Sequence, residues 1–354
     1  MKVRIPMKCR SLFHDSCVRL ALTATEKPMA VNRARGFVVG AAIALYATFA
    51  AAQALPTGNS GIASRYAGDS GIAADPAVLY ADDFESYSSA SALTSGGKWS
   101  NYYQSSNTRI STAAGTFFGG ARGLEMTMPQ TGSEVANAVV KNLAVKQDVV
   151  FVRAYTKFEA GFDGTTEGHN GIRISGAYPG PGNIPNGSDF FLYMVENSVY
   201  YGEAYPGPTN VYAYHPEQRS QWGDHIYPTG TVIPFDRTPG DFGPTFVSRP
   251  NFTPQTDRWY SYELMVKLNT PGQRDGRVAV WIDGALVADF PNLRMRDTTN
   301  VKVDQIQLEL HGKNNPSRAD RKWYDNVVVA KSYIGPVSNS AATPLPAPTN
   351  LRVQ

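Results

Sequence analysis

Cysteine is nearly absent: the 354 residues hold two, Cys9 and Cys17. Both lie ahead of a segment that reads as an export signal, so the chain beyond it has none. A disulfide framework and a cysteine-based metal site are thereby excluded there. Charge is also sparse, at 18% of residues, and the net +3 misleads. Residues 1–54 hold eight basic and two acidic side chains, which leaves 25 basic against 28 acidic in the remainder. No nucleic-acid partner is implied by such a balance. The chain has no nucleotide-binding loop, no metalloprotease helix and no Gly-x-Ser-x-Gly elbow, and nothing calls for a catalytic cofactor. It also lacks any long stretch of helical period.

The one extended apolar run is short. From Met29 the chain reads MAVNRARGFVVGAAIALYATFAAAQA. Arg33 and Arg35 precede an uncharged run over 36–51, and Ala52-Gln53-Ala54 gives a small-x-small cleavage pattern. Residues 29–54 are therefore read as a signal peptide. This predicts a secreted or periplasmic protein with no membrane attachment after cleavage, an uncleaved anchor being the alternative. Residues 1–28 read as an upstream extension or a long n-region. Residues 55–77, rich in Gly, Ala and Ser, read as a flexible lead-in. A single domain is expected over 78–335, followed by a Pro/Ala/Ser-rich tail over 336–354.

What is plentiful is tyrosine (19), glycine (32) and proline (24). Within 78–335, short β-branched and aromatic runs recur between turn residues. They include 122–128, 148–158, 171–176, 189–196, 210–215, 259–268, 277–283, 285–290, 303–311 and 323–330. Asp283-Gly284 between two of them is a good hairpin turn. Many strands at this spacing predict an all-β sandwich or jelly roll.

Successive residues of a strand point to opposite faces, which sorts side chains. Ile306, Leu308 and Leu310 share one face; Gln305, Gln307, Glu309 and His311 share the other. Arg173 and Ser175 oppose Ile172 and Ile174, with His169 on the polar parity. Arg153, Tyr155 and Lys157 oppose Val152, Ala154 and Thr156. Tyr212 and Tyr214 share a face. Rings that cover the apolar side of a pyranose, with amides and charges for its hydroxyls, suit a carbohydrate. Plain solvated faces are the competing reading.

The stretch RWYSYELMVKLNTPGQRDGRVAVWIDGALVADFPNLRMR (258–296) resembles polysaccharide lyase family 14, as does LELHGKNNPSRADRKWYDNVVV (308–329). NVYAYHPEQRSQWGD (210–224) is similar to the family's Tyr-x-Tyr strand. The family's Lys-x-Pro-Gly segment has no clean match; EGHNGIRISGAYPGPGN (167–183) stands in its place. Related family 20 glucuronan lyases share the fold. The resemblance covers roughly 80–335 and implies a concanavalin/laminin-G-like β-jelly-roll sandwich of two antiparallel sheets. It also implies a partner, an acidic polysaccharide such as alginate or glucuronan, cut by β-elimination.

Such a reaction removes the proton α to the uronate carboxylate and expels the 4-linked oxygen. The carboxylate must be neutralised electrostatically, a base must take the proton and an acid must protonate the leaving oxygen. Tyr212 or Tyr214 is expected as base or acid, matching Tyr-x-Tyr, and Arg173 and His169 as neutralising groups or proton-transfer partners. Ser175, His215, Gln305, Gln307, Glu309, His311, Arg153 and Tyr155 are the expected substrate contacts. Lys267, in the Lys-x-Asn-Thr-Pro-Gly turn, is read as structural.

The resemblance further allows a structural calcium ion held by Asp82, Asp83, Glu85 and Asp325, carboxylates being suitable hard ligands. Two rivals share the fold. A laminarinase-like hydrolase needs paired carboxylates as Glu-x-Asp-x-x-Glu or Glu-x-Asp-x-Glu, and no Glu here is followed by Asp two residues on. A non-catalytic carbohydrate-binding module stays open.

Overall fold

The computed structural model describes residues 54–130, 133–164, 168–199, 203–234, 240–241, 246–312 and 318–339. Cys9, Cys17, residues 1–28, nearly all of the segment 29–54 read as a signal peptide and residues 340–354 lie outside the described residues. Among the described residues no helix is long and apolar enough to cross a membrane.

Strands dominate. In chain order they are β1 (Val78–Asp82), β2 (Asn101–Tyr103), β3 (Thr108–Ser111), β4 (Gly123–Met128), β5 (Val135–Gln147) and β6 (Val149–Phe158). There follow β7 (Ile172–Gly176), β8 (Phe191–Asn197), β9 (Thr209–Tyr214), β10 (Asp224–Ile226), β11 (Thr231–Pro234) and β12 (Gly240–Asp241). The last five are β13 (Tyr260–Lys267), β14 (Gly276–Ile282), β15 (Ala285–Leu293), β16 (Val303–Gly312) and β17 (Asp320–Ala330). Each run predicted from alternation overlaps one of these.

They form two antiparallel sheets. One has the order β15-β14-β13-β6-β17-β4-β3, with β1 also paired to β17; the other runs β12-β11-β10-β9-β8-β7-β16-β5-β2. This is the expected jelly-roll sandwich. The predicted hairpin joins β14 to β15, with Asp283 and Gly284 both at positive φ (49° and 79°), as a primed turn requires.

Alternation explains the core. Val150, Val152, Leu264, Val266, Val278 and Val280 from the first sheet meet Ile172, Ile174, Val195, Ile306, Leu308 and Leu310 from the second. Fully burying one such side chain is worth about 1.5–3 kcal/mol.

The opposite face of the eight-stranded sheet is covered as well. Ile62, Ala63 and Ile72 pack there with Tyr333 and Ile334 on Phe151, Met265, Trp281 and Val328. Short 3-10 turns at Ile62–Arg65 and Ile72–Ala74 build this cover. Backbone bonds fasten it, from Ile62 N to Tyr333 O (3.1 Å) and Ala63 N to Ile334 O (2.8 Å). The segment expected to be a flexible lead-in is thus packed structure. Its small residues allow close approach to the sheet, a role that composition does not separate from a linker.

That cover corrects two expected substrate contacts. Arg153 and Tyr155 sit on β6, in the sheet away from the cleft described below. The Arg153 guanidinium is fully buried, ion-paired to Asp69 and bonded to Asn326 O (3.0 Å) and Gly335 O (3.2 Å). Tyr155 stacks on Phe118, and its hydroxyl accepts from Val337 N (2.9 Å). Their polar parity serves the terminal segments, not a ligand.

Candidate active site

The outer face of the nine-stranded sheet carries a cleft of about 450 Å³. His169, Arg173, Tyr212, Gln307, Glu309 and His311 line it. The register of the strands brings them together. β16 pairs with β7 so that Gln307 lies opposite Arg173, and an isolated bridge sets His169 against His311. Both backbone bonds of that bridge form, His169 N to His311 O (2.8 Å) and His311 N to His169 O (2.6 Å).

The loop before β7 is fixed tightly. A Cβ on Gly171 would fall 1.6 Å from Val195 O, so only glycine lets the chain pass there. Asn170 and Asn197 bond reciprocally, Asn170 Nδ2 to Asn197 O (2.7 Å) and Asn197 N to Asn170 Oδ1 (3.0 Å). The buried Lys322 Nζ donates to Asn170 O. His169 therefore stands on a rigid base.

Two cation–carboxylate pairs define the electrostatics. Arg173 Nη1 lies 2.9 Å from Glu309 Oε1, an ion pair at an angle that makes no hydrogen bond. Arg173 Nη2 bonds to Gln305 Oε1 (3.0 Å) and to Gln307. His169 Nδ1 lies 2.8 Å from Glu196 Oε2. Burial disfavours charge on His169, but Glu196 outweighs it and holds the imidazole above its usual pKa. Burial also works against the Glu196 anion, yet His169 and His225 bring its pKa down to about 2. His311 is the opposite case: burial, then the neighbouring His169 charge, lower its pKa and favour the neutral ring. His311 Nε2 lies 2.8 Å from Glu134 Oε1.

The tyrosines divide. The Tyr212 ring lies 4.3 Å from His169, and its hydroxyl reaches Trp222 O. A phenol has one hydrogen, so Tyr212 donates either to Trp222 O or to the Tyr214 hydroxyl, 3.2 Å away. Burial, with Tyr214 beside it, pushes the Tyr212 pKa well up, which keeps the phenol protonated. Tyr214 is fully buried, roofed by Tyr178 and Phe190, and is absent from the cleft lining. It supports the wall and does not face a substrate.

Three other expected contacts also miss the cleft lining. Ser175 is buried between β7 and its neighbours. Gln305 braces Arg173 and bonds to Asn142 Oδ1 (3.0 Å). His215 turns toward Asp224, 3.4 Å away.

The calcium expectation fails on geometry. Among the described residues no group of three or more His, Cys, Asp or Glu could hold a metal ion. Asp82 accepts from Trp99 Nε1 (2.7 Å), Tyr87, Tyr80 and Phe84 N. Asp325 accepts from Phe118 N (2.7 Å) and Gly119 N (3.0 Å), and Glu85 from Ala121 N and Arg122 N. Asp83 Oδ1 accepts from Glu85 N (3.2 Å). The four carboxylates cap turns and tie loops, so the residues do not fit the ion.

Sequence reasoning missed Glu196, His225 and Tyr178. Glu196 shares the face of Leu192 and Met194 on β8, so a carboxylate on an otherwise apolar parity was the available signal. His225 sits directly opposite Tyr212 in the β9–β10 register.

The model of the family described as polysaccharide lyase 14 matches residues 205–319. The chain resembles polysaccharide lyase family 14. That match supports lyase chemistry on a polysaccharide. Solved structures with the same fold include alginate lyase Aly36B, as a double mutant in complex with alginate trisaccharide. It is 17% identical, with a TM-score of 0.51, over 72% of this chain and 98% of that one. The marine PL-14 alginate lyase from Aplysia kurodai is 16% identical, with a TM-score of 0.51, over 72% and 99%. Alginate lyase vAL-1 from Chlorella virus is 14% identical, with a TM-score of 0.50, over 72% and 99%. No curated protein sequence matches the chain. The likenesses to solved structures establish the lyase-like sandwich; the chemistry must come from the cleft itself.

Proposed function

We propose that the protein is an exported polysaccharide lyase that cuts a uronic-acid polymer by β-elimination in this cleft. The observation that carries the reading is a single cleft holding a guanidinium, one imidazole with a raised pKa, a second with a lowered pKa and a phenol with a raised pKa on adjoining strands. His169 and Arg173 face the uronate carboxylate and make the developing enolate-like charge tolerable. His311, neutral and a quarter exposed, takes the C5 proton. Tyr212 gives its proton to the departing 4-linked oxygen, a carbon–carbon double bond forms between C4 and C5, and solvent returns the proton from His311 to the phenolate. Gln307 hydrogen-bonds sugar hydroxyls from the cleft floor. Alginate-type polymers are the favoured class, in keeping with the alginate trisaccharide bound by the similar Aly36B structure.

A carbohydrate-binding module is the second reading, favoured by one observation: both cations already have carboxylate partners. Incubation with a panel of uronic-acid polymers separates the two. A lyase yields an unsaturated product that absorbs in the ultraviolet, and the signal disappears in Tyr212→Phe. Retention on a polysaccharide gel with neither absorbance nor new chain ends leaves the binding module.

A further inference from the structure

Glu196 is a carboxylate with no exposed side-chain surface, on a strand that otherwise presents Leu192 and Met194 to the cleft side. Each of its oxygens meets a different imidazole. Oε2 lies 2.8 Å from His169 Nδ1, and Oε1 lies 3.0 Å from His225 Nδ1. Ser198 Oγ adds a bond to Oε1 (3.1 Å), and His225 Nδ1 also reaches Asn210 Oδ1 (3.1 Å). Strand β10 and the segment before β7 thus converge on one buried anion on β8.

We infer that Glu196 is a positioning residue for the cleft: gripped from behind by His225, it fixes the orientation of His169 and keeps its imidazole cationic toward the substrate. This rests on the proposed lyase reading for its role in turnover, but the coupling itself is a property of the folded chain.

The bonding pattern dictates the tautomers. A carboxylate accepts only, so both Nδ1 atoms carry hydrogen and His169 is left with Nε2 to offer. A buried carboxylate needs one positive partner, and two protonated rings beside each other would repel. The surroundings decide which ring holds the charge. His225 is 7% exposed, and burial, helped by the His169 charge, outweighs Glu196 and Asp224 and lowers its pKa, which disfavours its charged form. His169 is 22% exposed and takes the proton.

Other groups face His169 from the neighbouring strands. Arg173 on β7 opposes its charge and Glu309 on β16 favours it. His311 on β16 lies 5.4 Å from it between ring centroids, and Tyr212 on β9 4.3 Å. Lys322 on β17 lies within the field of Glu196, which favours its charge, but burial outweighs this and lowers the Lys322 pKa well below its usual value. Of these only Glu196 touches His169 through a charged hydrogen bond, and that bond makes the dyad the controlling element.

The test uses two readouts on the full chain. The chain has five histidines, so each ring can be assigned in NMR by single substitution. In Glu196→Gln the His169 ring should titrate at lower pH than in the unaltered protein, and Glu196→Asp should restore most of the difference. On the chosen polymer, the alkaline limb of the kcat profile should move to lower pH in Glu196→Gln. At the alkaline end kcat should fall on the order of 100-fold. A purely structural Glu196 would lower the unfolding temperature of the variant and leave both the His169 titration and the pH profile in place; that result overturns the inference. Should the unaltered protein cleave no polymer, the lyase reading fails, and the NMR titration alone decides the coupling.

Discussion

Tyr212 and His225 stand opposite one another across the β9–β10 pair, their ring centroids 4.7 Å apart. The imidazole fills the space behind the tyrosine and bonds to Glu196, while the tyrosine hydroxyl reaches forward to Trp222 O. The phenol is thereby held between a buried charge network and the backbone of Trp222. Its neighbour Tyr214 has no such outlook.

The two tyrosines should consequently separate by mutation. Tyr212→Phe is expected to reduce kcat by about 100- to 10,000-fold, the usual contribution of a proton-transfer group. Tyr214→Phe removes only the hydroxyl that supports it and should cost far less. Steady-state kinetics of both variants, with circular dichroism to verify folding, checks the difference.

Arg173 and Glu309 form a nearly buried pair, with side-chain exposures of 12% and 7%. Removing one partner strands the other in a low-dielectric site. Arg173→Ala should destabilise the fold by about 3–5 kcal/mol besides abolishing activity. Denaturant unfolding measures the first effect, and Glu309→Gln in the same background should recover part of it.

Arg153 offers the control. Its guanidinium is fully buried and holds Asp69, Asn326 O and Gly335 O on the far sheet. Arg153→Met should cost stability on the same scale, about 3–5 kcal/mol, and leave KM and kcat of the remaining folded protein unchanged. A change in KM would return Arg153 to the substrate site.

Glu263 and Asp325 make stability fall toward alkaline pH. Burial raises the Glu263 pKa from 4.5 to about 7, although Ile334 N and Gly335 N donate to it. Burial likewise raises Asp325 from 3.8 to about 7. A folded-state pKa above the unfolded one means the folded form binds the proton more tightly. The contribution is complete below the unfolded values and is lost as pH rises through about 7. The unfolding temperature should therefore drop across that interval, with a shallower drop in Glu263→Gln.

The sandwich was legible because β-strands write their two faces in a period of two. Ile306, Leu308 and Leu310 could only face inward, and Gln307, Glu309 and His311 only outward. Alternation does not say which sheet a strand joins. Arg153 and Tyr155 show the same pattern on β6, where the outward face is closed over by residues 62–74 and 333–338. Nor does it reveal roofing: Tyr214 shares the parity of Tyr212 but lies under Tyr178 and Phe190. Glu196 was hidden within an apolar strand, and its partner His225 lies on the three-residue β10, too short to show a period.

The most direct measurement of the central claim is ultraviolet absorbance during incubation of the protein with alginate and other uronic-acid polymers, run beside His311→Gln and Tyr212→Phe. A steady rise is expected for the unaltered protein and a flat trace for both folded variants. A flat trace for the unaltered protein on every polymer, or a rise undiminished in both variants, would contradict that claim.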